Sequence, residues 1–429
     1  MAKLSRTKPA ELLDVSILAG RALLVLAACC LCAPAAALEF SARTKAFATS
    51  AALPSHDFQR ELNGTPAYDY TADLRLMFRH SSGSLSWIAD LSTTLNGGDS
   101  FAFNSAPGIT LDQSPGDDDM RLMDLSWEIG DGDRHRAVQR FDRLAVEYRR
   151  GNWGLTLGRQ AVSWGNGIVF QPMDLFSPFA PTTVDRDYKA GDDLLLVETL
   201  LGNGSDLQLL AVARRNADGD VTGQADSVAL KWHGYTGSTE FDLVAGKHYR
   251  DQVYGFSTRL PLGGALLRSD VIATRLADDS DWKISGIVNL DYSFAINEKT
   301  LYVYIEYFHN SFGVSKLPAS PILLPQPLLD RLGRGEVFNL MKDYVAGGSS
   351  IQWHPLWTQN LTVISNLHDA SSLLQTQLTY EPGDHSRVQF GVVVPFGRAG
   401  DEFGGVPLLG DGVTSGGAKQ GYLRWVYYF

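Results

Sequence analysis

The sequence has 429 residues, with 42 glycines, 10% aromatic residues, 20% charged residues and a formal net charge of −11. That length exceeds one ordinary compact domain, yet no linker divides the chain. The acidic balance excludes the basic face that nucleic acid needs, and all three cysteines (Cys29, Cys30 and Cys32) crowd one N-terminal segment, which excludes a disulfide framework beyond it.

Lys3, Arg6 and Lys8 precede an apolar stretch from Ala22 to Cys32, followed by Ala35 and Ala37, the small residues that a signal peptidase reads. Residues 1–37 are therefore expected to be an export signal cleaved before Leu38, leaving 38–429 as one domain. Lipidation of Cys29, in "LAAC", is the alternative. A signal anchor is a third reading, against which the stretch is short. Cleavage removes four of the 37 basic and two of the 48 acidic residues, so 33 basic residues face 46 acidic ones, a charge of −13.

After residue 40 the chain alternates. In Tyr68 to Arg79, "YDYTADLRLMFR", Tyr68, Tyr70, Leu74, Leu76 and Phe78 share one side and Asp69, Asp73, Arg75 and Arg79 the other, as period-two strands require. "LSWIADLSTTL" sets Leu85, Trp87 and Leu91 against Asp90 and Ser92. "WKISGIVNLDYSF" sets Trp282, Ile284 and Leu290 against Lys283 and Asp291. A soluble sandwich also alternates, but these segments suit the nine to eleven residues of an oblique membrane crossing. Aromatic residues crowd the segment ends, and charges of both signs on the polar sides suit a wet lumen.

Only a closed sheet spans lipid without orphaned backbone groups. The predicted fold is therefore all-β, a transmembrane antiparallel up-and-down β-barrel. Counting gives nineteen segments, and a single bacterial chain is expected to have an even number. Setting aside the weakest, near Phe40 to Ala48, as periplasmic or plug leaves about 18 strands, with 16 as the alternative. The long connections 161–191, 311–343 and 398–419 then fall on one side, while Asn96 to Met120 falls on the wrong one. The chain ends "GYLRWVYYF", and this segment, with Trp425, Tyr427 and Phe429 on its apolar side, is similar to the C-terminal targeting strand of bacterial outer-membrane barrels. The resemblance implies recognition by the barrel-assembly machinery, outer-membrane lipid and lipopolysaccharide as surroundings, and localisation to the outer membrane of a Gram-negative cell.

Residues 157–196 pass from Gly158-Arg159-Gln160 through Trp164-Gly165 into a loop stiffened by Pro172, Pro178 and Pro181. This segment resembles porin-like outer-membrane barrels of uncharacterised families, including relatives of the alginate-export type. The simpler account is a solvated surface loop. The functional account is a loop folded into the lumen, burying Phe170, Phe176 and Phe179 and presenting Asp185, Arg186, Asp187 and Lys189 to the passage. Wall positions expected to face it are Arg75, Arg79, Asp90, Arg143, Glu147, Arg149, Glu240, Asp242, Lys283, Asp291, Glu306 and Arg387. Alternation turns Arg159 outward unless a bulge intervenes.

The expected function is a porin-like channel for small or polymeric hydrophilic solutes, without enzymatic activity or cofactor. One alternative is a lipid hydrolase using His309 and Ser311 of "FHNSF", faintly similar to outer-membrane phospholipases and lipid A deacylases. That chemistry also needs a third group to orient the imidazole. The other is a non-conducting structural or adhesive barrel. Asp117 to Asp119 could attract Ca²⁺ but lack a complete calcium-loop pattern.

Overall fold

The computed structural model describes residues 38–100, 118–185, 187–278, 281–408 and 412–429. The expected export signal, Asp117 and Arg186 lie outside the described residues, as does most of Asn96 to Met120. The strands are β1 (Glu39–Ala52), β2 (Ala67–Ser82), β3 (Leu85–Gly98), β4 (Ser126–Gly132), β5 (His135–Arg150), β6 (Trp153–Gln160) and β7 (Asp192–Leu200). Next come β8 (Asp206–Val212), β9 (Ser227–Thr236), β10 (Thr239–His248), β11 (Asp251–Leu262), β12 (Ala265–Arg275), β13 (Trp282–Ile296) and β14 (Lys299–Asn310). The chain continues through β15 (Asp343–His354), β16 (Trp357–Asn366), β17 (Ser372–Gly383), β18 (Ser386–Phe396), the two-residue β19 (Val406–Pro407) and β20 (Thr414–Ser415), and β21 (Lys419–Tyr428). Among the described residues two short α-helices, α1 (Phe58–Asn63) and α2 (Gln326–Gly333), lie in connections, with a 3-10 turn at Pro321–Leu323 before the second.

Among the described residues one antiparallel sheet of 19 strands closes on itself, β1 pairing with β2 on one edge and β21 on the other. Eighteen strands make the ring, and β4 is supernumerary, pairing with the amino half of β5 where β6 does not reach. The even count expected from the sequence is right, but the segment set aside to reach it is wrong. Phe40 to Ala48 is part of β1, with Phe40 opposite Phe78 and Phe47 opposite Arg424. Its signal is weak because one side carries Ala42, Thr44, Ala46 and Ala48, too small to mark a lipid face. Taking β4 out of the ring, in place of β1, also brings the connection after β3 to the same end as the other long ones.

At that end stand the connections spanning 53–66, 99–134, 161–191, 213–226, 311–342 and 397–418; short turns such as Gly83-Ser84 and Gly151-Asn152 join the strands at the other. Strands about 4.8 Å apart and tilted by roughly 40° close a wall about 18 Å in radius, wide enough for an aqueous lumen. The outer side is apolar and bare, as Trp153, Leu155 and Leu157 show, at 61%, 40% and 61% exposed. No helix among the described residues is long and apolar enough to cross a membrane, so the strands are what could do so.

Candidate passage through the barrel

The lumen is crossed by residues 161–191, which leave β6 and return to β7 after touching most of the wall. The crossing starts with two glycines whose positions admit no side chain. Gly165 has φ +98°, with Asp270 2.8 Å from where a Cβ would stand, and a Cβ on Gly167 would lie 1.7 Å from the Phe170 carbonyl oxygen. Trp164 donates to Gln208 at 3.3 Å, and the Asn166 N–H donates to Asp270 at 2.6 Å. The side chain of Asn166 also meets Ser257 and Arg259.

Glu306 then takes over. Its carboxylate, fully buried on β14, accepts the backbone N–H groups of Ile168, Val169 and Phe170 at 2.7, 3.1 and 2.8 Å, and the amide of Asn289 at 2.9 Å. Three consecutive N–H groups on one carboxylate pin the strap's direction as well as its position. Phe170 stacks on Phe308 with centroids 4.5 Å apart. Trp164, Met173 and Phe176 pack on Leu194, Leu210, Val244 and Ile272 of the inner wall, each such burial being worth about 1.5–3 kcal/mol. Of the three phenylalanines expected to be hidden, Phe170 and Phe176 are buried and Phe179 is partly so. The return limb is locked internally: Lys189 Nζ reaches both oxygens of Asp174 at 2.5 and 2.6 Å and Ser163 at 3.0 Å. Burial pushes the Asp174 carboxyl up to about 6, against the pull of Lys189, and pushes the Lys189 ammonium down.

On the opposite wall the strap meets cations. Asp187 pairs with Arg43 of β1 and Arg424 of β21, Asp185 pairs with Lys45, and Gln375 donates to the Thr182 carbonyl at 2.7 Å. Burial disfavours the Asp187 carboxylate, but Arg424 and Arg43 outweigh it and hold its pKa below the usual range. The Tyr188 ring lies under Arg75 and Arg43, at 3.9 and 4.7 Å from its centroid.

The remaining wall positions expected from the sequence fall as follows. Arg75 binds Asp142 at 2.5 Å and lies 3.5 Å from Asp90, which also pairs with Arg79 at 3.6 Å. Arg143 donates to the Lys189 carbonyl at 2.6 Å. Glu147 and Arg149 form a loose 3.8 Å pair near the turn end, with Arg149 69% exposed. Glu240 pairs with Arg259 at 2.7 Å, Asp291 with Arg268, and Arg387 with Glu381 at 2.7 Å. Asp242 is buried beside His233 at 2.9 Å and Lys231 at 3.6 Å. Lys283, half-buried near the loop end, joins none of these groups.

Several residues escape a strand-by-strand reading. Arg43 and Lys45 were lost with β1. Asp142 was hidden by a bulge: the register slips between Asp90, opposite Arg143, and Leu91, opposite Phe141, so Asp142 and Arg143 are both buried. Arg159 keeps its register without a bulge, opposite Asp193 and on the side of Leu155 and Leu157. It is nonetheless buried, because residues 118–123 fold over it, with Asp118 at 2.5 Å and Asp193 at 2.8 Å. Asp118 is thus an ion-pair partner, and among the described residues no cluster of His, Cys, Asp and Glu is arranged to hold a metal.

The strap leaves space on both flanks. One opening lies between Thr183, Val184 and Asp187 and the inner sides of β14, β16, β17, β18 and β21. Another lies between Gly165-Asn166 and Glu240, Arg259 and Arg268. At the loop end the connection carrying α2 folds over the rim, with Arg331 on Asp251 at 2.8 Å and Glu336 on His248 at 3.0 Å.

His309 points away from the lumen. Its Nδ1 lies 2.7 Å from Asp343, which also binds His368 at 2.7 Å and Tyr307 at 2.6 Å. An orienting carboxylate is therefore present, but the Ser311 hydroxyl accepts the Ile284 N–H at 2.5 Å and makes no hydrogen bond to His309 among the described residues. A nucleophile–base pair is not assembled.

No protein-family model and no curated protein matches the sequence. Three solved structures are similar in fold: Pseudomonas aeruginosa OpdK with vanillate, a BenF-like porin from Pseudomonas fluorescens Pf-5, and Pseudomonas aeruginosa OccK2 (OpdF) in complex with glucuronate. Each is 11% identical, with a TM-score of 0.51 over 91% of this chain and 98% of its own. At that identity the likeness is one of architecture: the chain folds as the porin-like outer-membrane barrels do.

Proposed function

We propose that this protein is a non-enzymatic channel through which small hydrophilic solutes diffuse across the outer membrane. The observation that carries the reading is the strap, fixed to opposite walls yet leaving polar openings on both flanks. Such an element narrows a lumen that would otherwise be unselective. The similar structures support the reading, since two of them hold small carboxylates, vanillate and glucuronate. Kinship with the alginate-export type rests on Gly158-Arg159-Gln160 and Trp164-Gly165, which launch the strap here. Cleavage before Leu38, insertion by the barrel-assembly machinery through the Trp425, Tyr427 and Phe429 strand, and contact with lipopolysaccharide complete the proposal. The test is electrical. Purified protein in planar bilayers should give discrete conductance steps, and a silent but correctly folded barrel would refute the channel in favour of the structural or adhesive alternative.

A further inference from the structure

Among the described residues, the charges around the larger openings come in closed pairs. Of the described side chains lining the space beside β14–β21, three are charged: Asp187, Arg387 and Arg424. Arg424 is held by Asp187, and Arg387 by Glu381. Across the strap, Arg259 is held by Glu240 and Arg268 by Asp291. A passage built to draw anions would leave arginines open to it, because a paired guanidinium offers an incoming carboxylate little field.

What the first space presents instead is amide and hydroxyl. Tyr422 donates to Gln377 at 2.9 Å, and Gln377 and Gln389 both donate to Thr379 at 3.2 Å. Gln389 also accepts from Arg424, which joins this chain to the strap through Asp187. The side chains are thus held in place before any solute arrives. Primary amides carry donors and acceptors side by side, matching the adjacent hydroxyls of a sugar or polyol, each of which both donates and accepts. The partly buried Tyr304 ring on the same lining offers flat apolar surface to the C–H side of a pyranose.

Resting on the channel reading, we propose that this cavity is a binding station for neutral polyhydroxylated solutes of monosaccharide size, and that the passage prefers them to sugar acids or amino sugars. The test uses the full-length protein in liposomes and planar bilayers, with glucose, glucuronate and glucosamine as probes of similar size. Glucose should enter faster than either charged probe, and a potassium chloride gradient should give a reversal potential near zero. The Gln377→Ala/Gln389→Ala variant should slow glucose by about fivefold, the value of one neutral hydrogen bond. Thr362→Val, on the same lining, gives a second reading of glucose entry should the double variant not assemble. Asp187→Asn should remove one carboxylate from between Arg43, which keeps Asp73, and Arg424, which keeps Asp185, shift the reversal potential towards anion preference and speed glucuronate. Faster glucuronate than glucose through the natural protein, or glucose entry indifferent to the Gln377, Gln389 and Thr362 changes, would overturn the inference while leaving the channel intact. Absence of both conductance and solute entry from a folded barrel would remove the channel reading and this inference together.

Discussion

Glu306→Leu should free the strap without unfolding the barrel. The natural carboxylate accepts three strap N–H groups and one amide within 3.1 Å. Hydrogen bonds to a charged acceptor contribute about 1.5–3 kcal/mol each, so losing the three from the strap costs on the order of 5–8 kcal/mol. Burial of Val169 and Phe170 resists release by about 3–6 kcal/mol in total. The loss therefore matches or exceeds what remains locally, and residues 166–172 should leave the wall. Wall pairing involves other atoms, since β14 keeps its full register with β13 and β15, so heat-modifiable gel mobility should be retained. Single-channel recordings should show larger and noisier steps for Glu306→Leu. Glu306→Gln, which keeps one oxygen acceptor, should fall between it and the natural protein. Step amplitude and noise unchanged in both variants, with the barrel folded, would refute the claim that Glu306 holds the strap in the passage.

Excision of Ser177 to Thr183 should also raise conductance, and unchanged step size would place that part of the strap clear of the current path. Arg159→Leu leaves Asp193 buried without its cation and Asp118 with Arg121 alone, a loss of about 3–5 kcal/mol; thermal unfolding in detergent should show it, whereas an unchanged midpoint would mean that water reaches those carboxylates. Burial pushes the Glu402 carboxyl up to about 7, despite donors from Tyr344, Leu340 and Asn366. A folded pKa above the ordinary carboxylate value means that the folded loop binds protons more tightly, so its packing is firmest in acid and weakens as pH rises from about 4.5 to 7, by at most on the order of 3 kcal/mol. Hydrogen exchange across 397–408 should accelerate over that range in the natural protein, and Glu402→Gln should flatten the profile.

Strand architecture is legible in this sequence because a barrel wall imposes period two on every crossing, and long connections gathered at one end give an independent check on the count. The misreading of Phe40 to Ala48 has a local cause: small alanines on one side left no lipid signature, although Arg43 and Lys45 already marked the other. Asp142 needed knowledge of a bulge, which depends on the partner strand. Arg159 needed knowledge of the covering segment, since alternation reports which side a residue takes and says nothing about what then folds over it. The strap's composition suggested an apolar, charged element fit for a lumen. Its anchors on Glu306 and Asp270 could not be read from it, because they lie more than a hundred residues away on the opposite arc of the wall.

Asp185 and Asp187 reach Lys45 and Arg43 on β1 and Arg424 on β21, the first and last strands of the ring. The strap is therefore also a clasp across the seam where a cylinder made from one ribbon must be joined. Resistance to splaying at that seam and width of the bore draw on the same ion pairs. Opening the bore by cutting them would weaken the hoop, so a wider channel on this scaffold would need a replacement fastening between β1 and β21 before the strap could be let go.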